Sequence, residues 1–282
     1  MLKNANVLRK MIRNRPPIAC RIKNIRQFLS KKPTRFMYFK DKNIYAAHEG
    51  SALQYFSDQG RGFGLYRHGL EARSSRLLKS YLIEKITFEP NDLIIDCGAN
   101  YGDLYMALSK SVSRLQYVSF EPSPKEFECL VLNAPNADNN NIGLANTTGR
   151  MSFYLKTSSA DSSLIAPISY DACIEVKTMR LDDFVLQRNI KRIRLFKLEA
   201  EGFEPEILLG AEKSIKICDY IAIDGGPERG ESQEETFSAV ATQLMSSGFD
   251  LVGMNFSNGR GLFKRHGLEE HHASSRGHLV DE

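Results

Sequence analysis

The central part of the chain alternates between two patterns of apolar residues. Short continuous apolar runs, typical of strands buried on both faces, are followed by segments whose apolar residues recur every three or four positions, as in amphipathic helices. Two further runs rich in β-forming residues, within 151–179, predict a hairpin beside the main sheet. The predicted strands are 93–97, 115–121, 193–198, 220–224, 249–255 and 261–263, with a less distinct one near 140–145, and the predicted helices are 103–110, 122–134, 181–188, 205–213 and 237–245.

This alternation predicts an α/β fold with a doubly wound, Rossmann-like sheet. Apolar strands joined by helical crossovers form mostly parallel sheets whose two faces are covered by helices. We expect this domain to span residues 91–268. The other predicted parts of the chain are a basic N-terminal arm (1–40), an N-terminal cap or lid segment (41–90) and a polar C-terminal tail (269–282).

Charge is distributed unevenly along the chain. Residues 1–40 contain twelve Lys or Arg and no acidic residue, whereas the whole chain has 38 basic and 34 acidic residues, so the remainder is net acidic. The arm is either a solvated tail or a peripheral contact with an anionic surface such as a membrane leaflet. It has few aromatic residues spaced for base stacking, so we expect no nucleic acid partner.

Two features of the sequence indicate where in the cell the protein is expected. No apolar run is long enough to span a membrane, and no apolar segment of the signal-peptide kind follows the basic N-terminus. The five cysteines are widely spaced and no pair has C-x-x-C spacing, which predicts neither a disulfide framework nor a zinc site. We therefore expect a cytoplasmic protein with reduced thiols, which the basic arm could also hold at a membrane surface.

Glycine, asparagine and acidic residues follow the first two strands of the predicted sheet. Ligands of such sheets bind at the carboxyl ends of the strands. Asp96, Gly98, Asn100 and Gly102 form the turn after the first strand, where glycine and asparagine allow a tight backbone. Glu121 ends the second strand and could accept hydrogen bonds from both hydroxyls of a ribose. The pattern predicts a nucleoside site, with a purely structural αβ turn as the alternative.

The spacing of the glycines favours one nucleoside over another. The pattern D-x-G-x-N-x-G is out of register with the dinucleotide fingerprint G-x-G-x-x-G and lacks the glycine that makes room for a pyrophosphate. A leading aspartate would repel phosphate but suits an amino group. S-adenosylmethionine, which has a ribose, a carboxylate and an ammonium group, therefore fits better than a nicotinamide dinucleotide. A nucleotide-dependent oxidoreductase remains the less favoured alternative.

Four motifs follow one another along the chain in the order DCGANYGD, FEPSP, TMRLDDF and LFKLEAEGFEPEILLGA. They resemble the motifs of the FkbM-like family of S-adenosylmethionine-dependent methyltransferases, over about residues 60–265. The resemblance implies a class I methyltransferase sheet of seven mostly parallel strands and transfer of a methyl group, usually to a hydroxyl oxygen. It implies an acceptor that is a small molecule, a glycan or a lipid-linked sugar. The chain departs from the family in having Glu199 where aspartate is usual.

Three carboxylates are candidates for catalysis under this resemblance. Glu199, at the tip of strand 193–198, is the leading candidate for a general base, with a helix-capping role as the alternative. Glu201 precedes a predicted helix, where acids are also favoured by the helix dipole. Asp224 could hold the substrate or, together with Glu199, a divalent cation. No histidine cluster supports a transition metal, and no metal ligand is assigned.

Further candidates depend mainly on the resemblance. It implies that Ile142 and Gly143 lie near the adenine and that Asp161 and Ser162 belong to a loop facing the cofactor or substrate. His68 precedes the core and is a candidate lid residue or alternative base, although a loop histidine is more often simply exposed. A protein that binds S-adenosylmethionine with little or no turnover is the remaining alternative, and the sequence leaves the oligomeric state open.

Overall fold

A computed structural model of the chain describes residues 15–156 and 162–269. The first described elements are a helix and a three-stranded antiparallel sheet, in which β1 pairs with β2 and β2 with β3. The boundary expected at residue 40 falls in the turn between β1 and β2, so residues 35–40 fold together with the segment that follows. These elements are α1 (Pro16–Leu29), β1 (Arg35–Phe39), β2 (Ile44–Glu49), β3 (Ala52–Phe56), α2 (Gln59–Leu65) and α3 (Leu70–Ser80).

Strands and helices alternate from residue 93 onwards. The elements are β4 (Leu93–Cys97), α4 (Asp103–Leu108), β5 (Gln116–Phe120), α5 (Pro124–Asn133), β6 (Asp138–Asn140), β7 (Gly143–Leu144), β8 (Gly149–Leu155), β9 (Ala172–Met179), α6 (Leu181–Gln187), β10 (Ile193–Leu198), α7 (Glu204–Leu209), β11 (Cys218–Asp224), β12 (Pro227–Arg229), β13 (Glu234–Glu235), α8 (Phe237–Ser246), β14 (Phe249–Asn255) and β15 (Arg260–Arg265).

The main sheet has seven strands in the order β14-β15-β11-β10-β4-β5-β6. Neighbouring strands from β11 to β6 are parallel, and β15 is antiparallel to both β11 and β14. Every residue of β10 and β11 is buried, which explains their continuous apolar runs. The predicted doubly wound, mostly parallel sheet of seven strands is therefore confirmed.

Each face of the sheet packs against a separate apolar cluster. One cluster joins α6, α7 and α8 to the sheet, with Phe184, Ile207 and Leu244 among its buried members. The other lies under α3 and α4 and includes Leu77 and Leu104. A third cluster, formed by the N-terminal sheet, reaches the turn after β4 and the helix α5. The N-terminal segment is thus packed beside the carboxyl end of the first strand of the main sheet.

The region between β5 and β10 departs from the predicted pattern in one respect. The indistinct strand near 140–145 is two short strands, of which β6 joins the main sheet and β7 pairs with β9. The strands β8 and β9 form the predicted antiparallel pair beside the main sheet. Within the part of the chain that the structure describes, no helix is long and apolar enough to cross a membrane.

Candidate active site

A cleft lies at the carboxyl ends of β4, β5 and β10. Most residues predicted for the site contribute to its lining: Asp96, Gly98, Asn100, Glu121, Gly143, Ser162, Glu199 and Glu201. Gly102, Ile142, His68 and Asp224 are not lining residues, and Asp161 lies outside the described residues. His68 is exposed, and its Nε2 accepts a hydrogen bond from Arg67 Nε at 2.9 Å. The structure thus brings five of the seven predicted cofactor residues together in the cleft, and leaves Gly102, Ile142 and His68 out of its lining.

The turn after β4 links three strand ends. Gly98 has φ +70°, and a Cβ at this position would lie 2.1 Å from the carbonyl oxygen of Glu199, at the end of β10. The Gly98 N–H donates to the carbonyl oxygen of Phe120, at the end of β5, at 3.0 Å. Asn100 has φ +50°, and its N–H donates to Glu121 Oε2 at 2.8 Å. Only glycine fits where the backbones of the turn and β10 approach so closely.

Glu121 is a buried carboxyl group held by backbone donors. Its second oxygen, Oε1, accepts a hydrogen bond from the Ser123 N–H at 2.9 Å. Burial and the nearby Glu126 raise the pKa of Glu121 to about 7, against the opposing effect of the two backbone donors. Each carboxylate oxygen has two lone pairs, so each can accept one more hydrogen bond. Glu121 is therefore suited to bind a ligand with two adjacent hydroxyl groups.

Lys197 is the cation at the base of the cleft. Its Nζ lies 3.2 Å from Asp96 Oδ1 and 2.6 Å from Glu199 Oε2, and it also donates to the carbonyl oxygens of Cys97 and Gly98. Burial alone would lower its pKa, but the two carboxylates raise the pKa of Lys197 above its usual value. Lys197 thus stays charged and joins β4 to the end of β10.

Asp96 is used within the protein. Its carboxylate is buried, contacts Lys197 through one oxygen and accepts a hydrogen bond from the Tyr117 hydroxyl through the other. Burial raises the pKa of Asp96 above its usual value, while Lys197 and Tyr117 act in the opposite direction. Asp96 therefore holds the end of β4 in place from below the cleft.

Two cations surround Glu199. Lys197 is its close partner, and Arg260 Nη2 lies 3.8 Å from Glu199 Oε1. Burial alone would raise the pKa of Glu199, but Lys197 and Arg260 lower it to about 2. A carboxylate with so low a pKa is ionised at neutral pH and is a weak proton acceptor.

Arg260 joins two of the predicted catalytic carboxylates. Its Nε lies 2.6 Å from Asp224 Oδ2, and its guanidinium group lies 4.3 Å from the centre of the Tyr81 ring. A guanidinium group therefore contacts both Glu199 and Asp224, the pair considered above for a divalent cation. The described residues contain no group of three or more His, Cys, Asp or Glu side chains that could hold a metal ion.

Glu201 has a carboxyl partner that the sequence did not reveal. Glu201 lines the cleft with φ +50°, and its carbonyl oxygen accepts a hydrogen bond from Ser163 Oγ at 2.9 Å. Its side chain is hydrogen-bonded to Glu228 of β12, and burial together with Asp224 raises the pKa of Glu228 to about 7. A hydrogen bond between two carboxyl groups requires a proton, so this pair can hold one near neutral pH.

Glu204 has a structural part in the same turn. It is buried, and its Oε1 accepts hydrogen bonds from the N–H groups of Ala200 and Gly202 at 2.8 and 3.2 Å. The other oxygen accepts from Thr236 Oγ1 at 2.9 Å. Glu204 thus fixes the backbone that presents Glu199 and Glu201 to the cleft.

Two arginines of the N-terminal segment also line the cleft. Arg73 forms an ion pair with Asp103 at 2.7 Å. Arg61 donates to Asn100 Oδ1 at 2.9 Å and lies over the Tyr101 ring at 5.0 Å, and no carboxylate within the described ranges forms an ion pair with it. Arg61 can therefore meet an anionic group of a ligand.

Comparison with known proteins identifies the family. The model of the methyltransferase FkbM domain matches residues 96–251, more than half of the chain. The hexuronic acid methyltransferase AglP of Haloferax volcanii is 24% identical over 140 residues, which cover 48% of this chain and 56% of AglP. The 2-O-methyltransferase NoeI of Sinorhizobium fredii is 21% identical over 175 residues, which cover 55% of this chain and 72% of NoeI.

A solved structure of a methyltransferase is similar to part of this chain. The methyltransferase FkbM from Methylobacillus flagellatus is 16% identical and has a TM-score of 0.43, over 64% of this chain and 44% of that one. The chain thus spans little more than half the length of AglP and less than half of this structure. With the family model matching more than half of its length, the chain belongs to the FkbM methyltransferase family.

Proposed function

We propose that the chain is an S-adenosylmethionine-dependent methyltransferase that methylates a hydroxyl group of a sugar, glycan or lipid-linked acceptor. The main support is the junction of β4, β5 and β10, where the Gly98 turn and the carboxyl group of Glu121 are hydrogen-bonded to one another through Asn100. This junction lies in the cleft at the carboxyl ends of the parallel strands, where ligands of such sheets bind.

The residues of the cleft suit each part of S-adenosylmethionine. Glu121 would accept hydrogen bonds from the two ribose hydroxyls, and Arg61 would pair with the carboxylate. The acidic side chains of Glu199 and Glu201 favour the positively charged sulfonium and ammonium groups. When bound, S-adenosylmethionine would supply an activated methyl group. The chain's own residues must then orient the acceptor hydroxyl and receive its proton.

The names of two relatives bear on the acceptor. AglP is a hexuronic acid methyltransferase, which names a sugar acid, and NoeI is a 2-O-methyltransferase, which names an oxygen as the methylated atom. Together they favour an oxygen atom of a carbohydrate. We therefore propose O-methylation of a carbohydrate, either free or attached to a larger carrier.

We further propose that Glu201, rather than Glu199, receives the proton of the acceptor. Glu199 is held ionised by Lys197 and Arg260, which makes it a weak base. Glu201 faces the cleft, and its partner Glu228 has a pKa near 7. A group that changes its protonation state near neutral pH is better matched to proton transfer. Glu199 and Asp224 would instead hold the cationic network around the acceptor site.

Transfer of a radiolabelled methyl group tests this proposal. The full chain would be incubated with labelled S-adenosylmethionine and an oligosaccharide or glycolipid fraction, and the labelled product identified by mass spectrometry. We expect labelling by the wild type and a loss of about 100-fold or more in kcat for Glu201→Gln. Glu175→Gln, at an exposed ion pair on β9, is the matched control and should be fully active. If Glu201→Gln were as active as the control, Glu201 would be excluded as the group that receives the proton.

A further inference from the structure

The helix α1 turns most of its large apolar side chains away from the protein. Its side chains buried against the protein are small or polar: Ala19, Cys20 and Gln27. Four of its five large apolar side chains face outwards, with exposed fractions of 38% for Ile18, 60% for Ile25, 70% for Phe28 and 74% for Leu29, and Ile22 is half-buried. Because Ile18, Ile25 and Leu29 are spaced by seven and four residues, they form one stripe along the helix. This stripe is the reverse of what a surface helix in water normally shows.

Specific hydrogen bonds fix the orientation of α1. The side chain of Asn24 donates to the carbonyl oxygen of Phe36 at 2.9 Å and accepts from its N–H at 2.7 Å. Gln27 Nε2 donates to the carbonyl oxygen of Arg67 at 2.9 Å. Rotation of α1 to bury the apolar stripe would break all three hydrogen bonds. The outward position of the stripe is therefore built into the packing of α1 on β1.

Positive charge flanks the apolar stripe. Arg21 lies between Ile18 and Ile25 along the helix, and Arg26 lies three residues before Leu29. Both arginines are exposed, and neither forms an ion pair with a carboxylate in the part of the chain that is described. The sequence has no acidic residue before Asp41, and residues 1–14 add Lys3, Arg9, Lys10 and Arg13.

We propose that the outward face of α1 docks on an anionic lipid bilayer, with the apolar stripe in the headgroup boundary and the arginines against lipid phosphates. Basic helices with one apolar face bind membranes in this manner. A second copy of the chain fits less well, because its own arginines would repel those of the first. Nucleic acid fits less well, because three of these four exposed side chains are aliphatic and only Phe28 among them could stack on a base.

Flotation of the full chain with lipid vesicles tests this proposal. We expect the wild type to float with phosphatidylcholine vesicles that contain phosphatidylglycerol, and much less with phosphatidylcholine alone. High salt should weaken the binding. Ile25→Glu should lower the partition coefficient at least about tenfold, because it places a charge in the apolar stripe. Leu186→Glu, at a residue of α6 that is 80% exposed, is the matched control and should bind like the wild type.

Several outcomes would overturn the proposal. One is failure of the folded wild type to float with the anionic vesicles, and another is equal flotation of Ile25→Glu and the wild type. Equal losses in Ile25→Glu and Leu186→Glu would also contradict it. So would a wild-type dimer, measured by analytical ultracentrifugation, that Ile25→Glu dissociates while vesicle binding is unchanged. Binding of RNA that persists in Ile25→Glu, without vesicle binding, would assign the positive charge to nucleic acid instead. Circular dichroism of each variant separates these outcomes from misfolding.

Discussion

Replacement of Lys197 by methionine removes the cation beneath the cleft and keeps a side chain of similar length. Lys197 Nζ lies 3.2 Å from the buried Asp96 and 2.6 Å from Glu199. Removal of one partner of a buried ion pair typically costs about 3–5 kcal/mol, because the other charge stays buried without compensation. We expect a loss of this size in the free energy of unfolding near neutral pH. The melting temperature should fall by about 5–8 °C.

The loss in free energy of unfolding caused by Lys197→Met should grow as the pH rises. In the wild type, the pKa of Glu199 is lowered from 4.5 to about 2, which stabilises the fold above pH 4.5 and is lost as the pH falls towards 2. Without Lys197, the pKa values of Asp96 and Glu199 in the folded state rise. The folded variant then binds more protons than the unfolded chain, so its stability falls as the pH rises. The deficit of the variant should be largest at about pH 8 and smaller at about pH 5.

Urea denaturation followed by circular dichroism measures this deficit. The wild type, Lys197→Met and Lys110→Met would be compared at about pH 5 and about pH 8. Lys110 is exposed after α4, so Lys110→Met should lie within about 0.5 kcal/mol of the wild type at both values. A deficit for Lys197→Met below about 1 kcal/mol, or one that does not change with pH, would show that Lys197 does not compensate the buried charges of Asp96 and Glu199.

Three further predictions concern the cleft. Gly98→Ala should lose at least about 2 kcal/mol of stability and its binding of S-adenosylmethionine, because its Cβ would lie 2.1 Å from the Glu199 carbonyl oxygen. Gly64→Ala, with no atom within 4 Å of its Cβ and a place in the helix α2, should lose no stability in the same urea titration. Calorimetry should show that the affinity of the wild type for S-adenosylmethionine rises with pH up to about 7 and then levels off. The reason is that Glu121 accepts hydrogen bonds best when it is ionised. Glu121→Gln should lack this pH dependence. In a plot of kcat against pH, Glu228→Gln should shift the acidic limb to lower pH, because Glu201 would no longer share a proton with a second carboxyl group. An unchanged acidic limb would show that the Glu201–Glu228 pair does not control proton transfer.

The sequence predicted the features of the fold that depend on continuous patterns. The buried strands β10 and β11 are continuous apolar runs, and the turn after β4 has the glycine and asparagine that its geometry requires. The strand β6 was indistinct because its three residues, Asp138–Asn140, are all polar. It is placed by pairing with β5, and that interaction has no signature in its own sequence.

The sequence indicated some contacts of the site and not others. Lys197 lies in β10 and Glu199 directly follows its last residue, so their two-residue spacing in extended backbone places them on one face and favours an ion pair. Arg260 reaches Asp224 because β15 is antiparallel to β11, and that register is a property of the folded sheet. Glu228 lies in a short strand after β11 and has no motif of its own. The low pKa of Glu199, which argues against it as a base, is due first to Lys197 and then to Arg260, and nothing in the sequence indicated the contact with Arg260.

Calorimetric titration with S-adenosylmethionine tests most directly whether the ends of β4 and β5 bind this nucleoside. We expect saturable binding to the wild type and an affinity at least about tenfold lower for Glu121→Gln, whose side chain accepts fewer hydrogen bonds. Circular dichroism would establish that both proteins are folded. Absence of saturable heat from the folded wild type at millimolar S-adenosylmethionine would show that these strand ends do not bind this nucleoside, and equal affinities of the two proteins would exclude Glu121 as a ligand of the ribose.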